Sequence, residues 1–157
     1  MELTYRGTLL SDVDELFSVR ARTRENPMSR VQLAELGVTP DAIVGGLVSG
    51  RIRGWVCCHG SNIVGFCHGD RETGEVLVLA VRPEYEGRGI GRNLLTLVVE
   101  WLRALGFESL WLAASADANT RAYGFYRSLG WRPNGEMDEN GDEVLVLRGG
   151  AELDGGG

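Results

Sequence analysis

The chain has 157 residues, with 16 basic and 22 acidic side chains, a formal net charge of −6 and 43% hydrophobic residues, a balance that fits one soluble domain able to bury a core without disulfides. Every basic residue is arginine, which excludes a lysine Schiff base and a lysine-bearing phosphate loop. The acidic balance, with no basic stripe, argues against a nucleic-acid partner.

Cys57, Cys58 and Cys67 show no C-x-x-C spacing and have only His59 and His68 beside them, so reduced thiols and no metal are expected. The first residues, MELTYRGTLL, lack the pattern of a signal peptide, and no apolar run nears the ~18 residues of a membrane span. The expectation is a cytoplasmic protein with no membrane attachment.

Leu3 to Gly7 reads as a first strand. Ser11, with Asp14 three residues on, predicts a capped helix reaching about Arg22. A short helical piece follows around Ser29 to Leu36, and Thr39 caps a helix from Pro40 to about Ser49. Strands are predicted over Ile52 to His59, Asn62 to Asp70 and Glu75 to Arg82. The continuous apolar run VLVLAV in the third suggests cover on both faces. A glycine-rich turn opens the longest helix, about Gly89 to Leu105. Then come a strand (Glu108 to Ala113), a helix (Asn119 to Leu129) and a hairpin (Trp131 to Met137, Glu143 to Arg148). The class is α/β, a single domain over 1–148 with a mixed central sheet of about six to seven strands and about four helices. Residues 149–157 (GGAELDGGG) form a Gly-rich tail expected to be flexible. Two exposed sheet edges leave a homodimer plausible.

The most informative stretch is Val81-Arg82-Pro83-Glu84-Tyr85-Glu86-Gly87-Arg88-Gly89-Ile90-Gly91-Arg92. Glycines at 87, 89 and 91 let backbone amides converge where a Cβ would obstruct them. The helix that starts there aims its free N–H groups into the same hollow, an arrangement that holds phosphate. Arg88 and Arg92 add charge. A dinucleotide fingerprint fails from either start, because its last glycine would fall on Arg92 or Leu94.

Glu86-Gly87-Arg88-Gly89-Ile90-Gly91 resembles motif A, Q/R-x-x-G-x-G/A, of the GCN5-related N-acetyltransferases, with Glu86 departing at the first position. Asn119-Thr120-Arg121-Ala122-Tyr123-Gly124-Phe125-Tyr126, ending in Leu129-Gly130-Trp131, resembles their motif B. The resemblance runs over roughly Asn62 to Arg148. It implies that the turn 86–92 holds the pyrophosphate of acetyl-CoA and that Asn119, with Ala122 in the same motif, meets the pantetheine arm. It further implies that Leu79, Ala80 and Val81 lie beside the thioester, with an amide near Val81 polarising the carbonyl. Tyr126 matches the acid near the sulfur.

The acceptor implied is a small-molecule or peptide primary amine, which must lose a proton before it can attack. EVLVLAV resembles the histone-acetylating branch, where a glutamate at the place of Glu75 serves as base. By alternation Glu75 also shares a face with Leu77 and Leu79. His68 is a weaker base candidate, a relay through Cys67 is open, and an arginine among Arg20, Arg22, Arg24, Glu25 and Asn26 could clamp a substrate carboxylate. The alternatives are a non-catalytic acyl-CoA-binding sensor and a nucleotide-binding fold.

Overall fold

Alternating apolar positions and tight turns build the first half of the protein into four antiparallel strands in the order β1 (Leu3–Gly7), β2 (Ile52–His59), β3 (Asn62–Asp70) and β4 (Val76–Val81). A computed structural model of the chain describes residues 1–149; the expected tail, from residue 150 on, lies outside the described residues. A second antiparallel sheet follows the order β5 (Ser109–Ala114), β7 (Glu143–Arg148), β6 (Arg132–Met137). The two sheets join through one parallel bridge, Glu75 to Trp111. Among the described residues seven strands therefore form, as expected, and the parallel element of the mixed sheet is confined to that bridge. β1 and β6 are the outermost strands on the sides away from this junction.

Among the described residues five helices, one more than expected, cover the sheets: α1 (Val13–Arg20), α2 (Arg30–Glu35), α3 (Pro40–Ser49), α4 (Ile90–Ala104) and α5 (Arg121–Ser128). Leu94, Leu95, Val98 and Leu102 of α4 sit at helical spacing and are buried in the main core against the strands. Each such side chain contributes about 1.5–3 kcal/mol relative to exposure. α1 lies on the opposite face, where Leu16 and Val19 pack on Val56, Ile63 and Phe66. Among the described residues no helix is long and apolar enough to cross a membrane.

Three expectations change. Ser11 caps nothing: Leu10–Asp12 forms a 3-10 turn, and α1 begins only at Val13. The carboxylate of Asp12 accepts from the Leu9 N–H (2.7 Å) and pairs with Arg6 (2.8 Å). Two charge-assisted partners outcompete a neutral hydroxyl cap.

β4 is not covered on both faces either, since Leu77 is 39% exposed. Beyond the Glu75 bridge the two sheets part, so one edge of β4 is left open.

The third change concerns register. A bulge between His68 and Gly69 sets Gly69 opposite Val76 and His68 opposite Val78, with Leu77 unpaired. Val76, Leu79 and Val81 thus pack on the α4 side, while Val78 and Ala80 pack on the α1 side. Glu75 alternates with its neighbour Val76 and so belongs to the α1 side, opposite Leu79. The extra residue breaks the simple alternation from which a shared face was expected.

Candidate active site

The opening between the parted sheets is a cleft of about 790 Å³, lined by β4, the glycine turn, the start of α4, α5 and the segment after α1. The β4 backbone presents donors to it. Arg82 N–H bonds back to Val64 on β3 (2.8 Å), so by two-residue alternation the N–H groups of Leu79 and Val81 point to the open edge. Those are the amides that a fifth strand would otherwise engage.

Gly87 and Gly89 have φ of +80° and +81°, a region that glycine enters without strain. Gly89 is the residue that opens α4. The third glycine has a different reason: a Cβ at Gly91 would point at Phe125, Leu79 and Val81, at 3.7–3.8 Å. It would stand inside the cleft. The turn is therefore a cradle of backbone donors at a helix N-terminus, the construction suited to a phosphate group.

Of the residues expected to hold a cofactor, Leu79, Val81, Glu86, Gly87, Gly89, Ile90, Gly91, Arg92, Ala122 and Tyr126 line this cleft. Three do not. Ala80 is buried on the α1 side, and Arg88 is exposed, its guanidinium 5.9 Å from the Tyr85 ring. Asn119 is exposed in the turn before α5, between Ala118 and Thr120, which do line the cleft. Thr120, not Asn119, caps α5.

Glu86 has a specific task here. Its carboxylate pairs with Arg24 (2.8 Å) and Arg121 (3.1 Å), while the Glu25 carboxylate accepts from the Arg121 backbone N–H (2.9 Å). The segment after α1 is thereby tied across the cleft to the turn and to α5. Arg24 and Glu25 are engaged within the protein and not left over for a substrate.

Sequence reasoning missed Arg121, Phe125 and Ser128, all lining the cleft. The signal was present: they follow i, i+4, i+7 and share a helix face with Ala122 and Tyr126. Thr23 was missed without any such signal.

Tyr126 is 9% exposed, and its ring packs edge-on against Phe125 and Trp131. Its hydroxyl makes no hydrogen bond to another described residue. Burial, with Cys67 nearby, raises its pKa above the ordinary phenol value, so the group stays protonated. A phenol of that strength is a weaker acid than a thiol near ~8.5. Its service to a departing sulfur is therefore a hydrogen bond more than a full proton transfer. Tyr126→Phe is expected to lower kcat about tenfold with acetyl-CoA affinity unchanged, read by steady-state kinetics and titration; an unchanged kcat removes the role.

Glu75 stands where β4 and β5 meet, at the closed end of the opening. It is half-buried, outside the main cleft lining. Burial, with Asp70 and Asp138 adding negative charge, pushes its carboxyl up to about 7.

The other base candidates fare differently. His68 is 2% exposed and its Nε2 lies 3.0 Å from the Thr8 hydroxyl; burial pushes it down to about 4, so it is a neutral core histidine and a poor proton acceptor. Cys67 is fully buried and burial raises its thiol pKa, which denies the thiolate that a relay requires. Among the described residues no three His, Cys, Asp or Glu side chains gather to hold a metal.

A family model described as acetyltransferase (GNAT) family matches residues 12–131. The chain is 36% identical over 63 residues to a mycothiol acetyltransferase of Renibacterium salmoninarum, covering 40% of this chain and 18% of that protein. It is 34% identical over 86 residues to one from Stackebrandtia nassauensis, covering 54% and 26%. The chain thus spans about a fifth to a quarter of the length of these curated relatives. Among solved structures, PaiA N-acetyltransferase from Thermoplasma acidophilum in complex with coenzyme A gives a TM-score of 0.79 at 19% identity, over 94% of this chain and 99% of that one. The ribosomal-protein-S18-alanine N-acetyltransferase from Escherichia coli gives 0.65 at 21%, over 94% of each. At these identities the structures establish the fold.

Proposed function

We propose that this chain, which belongs to the acetyltransferase (GNAT) family, transfers the acetyl group of acetyl-CoA to a primary amine by direct attack in a ternary complex. The observation that carries the reading is the cradle itself. Gly87, Gly89 and Gly91 leave a bare backbone wall at the start of α4, facing the open edge of β4 and the α5 face that bears Tyr126. Its size, about 790 Å³, falls in the ordinary range for a cofactor-sized ligand. In this reading the amides at the α4 start and Arg92 hold the pyrophosphate, and Ala122 and Phe125 wall the pantetheine arm. The amide N–H groups of Leu79 and Val81 face the thioester.

Acetyl-CoA supplies an activated acetyl group: the amine lone pair forms the C–N bond as the C–S pair leaves with sulfur. Glu75 takes the proton that the ammonium must lose, and a carboxyl near 7 is matched to that task at neutral pH. Glu75 sits at the junction of β4 and β5, on the face away from Leu79, and in this reading the acceptor approaches from that face. The amide N–H groups on β4 stabilise charge on the carbonyl oxygen. Tyr126 hydrogen-bonds the departing sulfur, and the second proton of the attacking nitrogen, shed as the amide forms, ends on that sulfur to give the thiol.

A panel of primary amines with acetyl-CoA, followed by thiol release and mass spectrometry of the product, tests this. Acetylation of at least one amine by direct transfer is expected. Tight acetyl-CoA binding with no amine modified would favour a non-catalytic sensor instead.

A further inference from the structure

Residues Thr23, Arg24, Glu25 and Asn26 offer no apolar side chain to a core, yet the first three line the cofactor cleft. Internal bonds give this strap its shape. The Thr23 hydroxyl donates to the Glu25 carbonyl (3.1 Å), and Arg20 Nη1 donates to the Asn26 carbonyl (2.6 Å). Asn26 turns the chain with φ of +52°. Beyond it Met28 rejoins the fold, packed on the cluster of Val13, Phe17 and Leu33. The strap is a preformed turn held at both ends, with nothing apolar to fix its middle.

Charge fixes the middle instead, on both walls of the cleft. Arg24 Nε meets Oε1 of Glu86, just ahead of the glycines, at 2.8 Å, and Arg121 Nη1 of α5 meets the same oxygen at 3.1 Å. The backbone N–H of Arg121, the first residue of α5, donates to both carboxylate oxygens of Glu25, each at 2.9 Å. Glu86, Arg121, Glu25 and Arg24 thus close a ring that spans the cleft from the glycine turn to α5 and returns along the strap. The Glu86 side chain is 18% exposed, but those of Arg24 and Arg121 are 57% and 59% exposed. Ion pairs so open to water hold weakly. A closure made only of them opens locally, because opening it uncovers no apolar surface.

We propose that this ring is a latch on coenzyme exchange: the strap closes over the pantetheine arm while Glu86 holds Arg24 and Arg121, and acetyl-CoA enters and CoA leaves when Glu86 releases them. The proposal rests on the acetyltransferase reading above. In that reading the arm runs from the cradle at the α4 start to Tyr126, so it lies beneath the ring and is lifted out through the side that the strap spans. The latch also accounts for a carboxylate beside a phosphate cradle. Alone, Glu86 would repel an anionic ligand; with two guanidiniums on one of its oxygens it serves as the tether.

Two variants of opposite charge separate a latch from simpler effects. Glu86→Gln removes a negative charge beside the cradle, which by itself speeds association of an anion and slows its release. Arg24→Gln removes a positive charge, which by itself does the reverse. Loss of structure alone raises koff without raising kon. Surface plasmon resonance of acetyl-CoA over the tethered full chain gives both rates. Each variant is expected to raise kon and koff together, Glu86→Gln by about threefold to tenfold and Arg24→Gln by about twofold to fivefold, the range for losing two or one partly exposed ion pairs. Should one variant fail to fold, the other still decides. No binding of acetyl-CoA by the parent overturns this proposal and the acetyltransferase reading together. Binding by the parent, with koff not raised in Glu86→Gln or kon not raised in Arg24→Gln, overturns the latch and leaves the acetyltransferase reading standing.

Discussion

Replacing Glu75 by glutamine is expected to lower kcat by about 10²–10³, within the usual contribution of a positioned base, and at the same time to make the protein more stable above neutrality. The two effects share one cause. Burial beside Asp70 and Asp138 lifts the carboxyl to about 7 from its ordinary 4.5. In activity the ionised form is needed to accept a proton, so kcat/KM should rise from the acid side with a midpoint near pH 7. Glu75→Gln should lose that limb.

In stability the sign is opposite to the usual carboxylate. Below about pH 4.5 Glu75 is protonated whether folded or unfolded, and its burial carries no ionisation penalty. Between 4.5 and about 7 the unfolded chain releases the proton while the fold retains it, so stability falls as pH rises. Above 7 the penalty is complete. The variant should therefore melt higher than the parent at pH 8 and alike at pH 4, by thermal denaturation. A kcat within twofold of the parent, or a lower melting temperature at pH 8, would send the base role elsewhere.

Gly91→Val is expected to weaken acetyl-CoA binding about tenfold to a hundredfold, the range for crowding a packed site, without unfolding the protein. The position has ordinary helical φ, and a Cβ there meets Phe125, Leu79 and Val81 only at ordinary contact distances. Leaving glycine inside a helix is itself favourable, by up to about 1 kcal/mol for alanine. What the new methyl groups fill is the cleft. Gly89→Val makes the contrast, because there φ is +81° and the fold should suffer first. Calorimetry and melting curves on the two variants distinguish a blocked cradle from a strained turn.

The strands were legible wherever a two-residue period ran between tight turns: Ile52–His59 and Asn62–Asp70 form over the residues their pattern predicts. Helix α4 was legible from its apolar spacing and from the glycines before it. The face of Glu75 was not, because a single bulge at Leu77 reverses every side chain on one side of it. No local pattern marks a bulge whose cause is the pairing of two strands.

The role of Glu86 was equally hidden. Its partner Arg24 is 62 residues away, and only the fold brings the segment after α1 across the cleft. The same long-range closure separates Arg20 from Arg24 within one run of charged residues: one is engaged by a carboxylate and the other is not. Arg121, Phe125 and Ser128 were readable in principle, since helical spacing places them beside Tyr126.

The most direct test of the central claim is a calorimetric titration of acetyl-CoA into the full chain, repeated with Gly91→Val and in the presence of ATP or NAD. One molecule per chain, weakened by the substitution and undisturbed by either nucleotide, is the expected result. No binding, an affinity unmoved by Gly91→Val, or displacement of acetyl-CoA by ATP or NAD would contradict the assignment of the cleft.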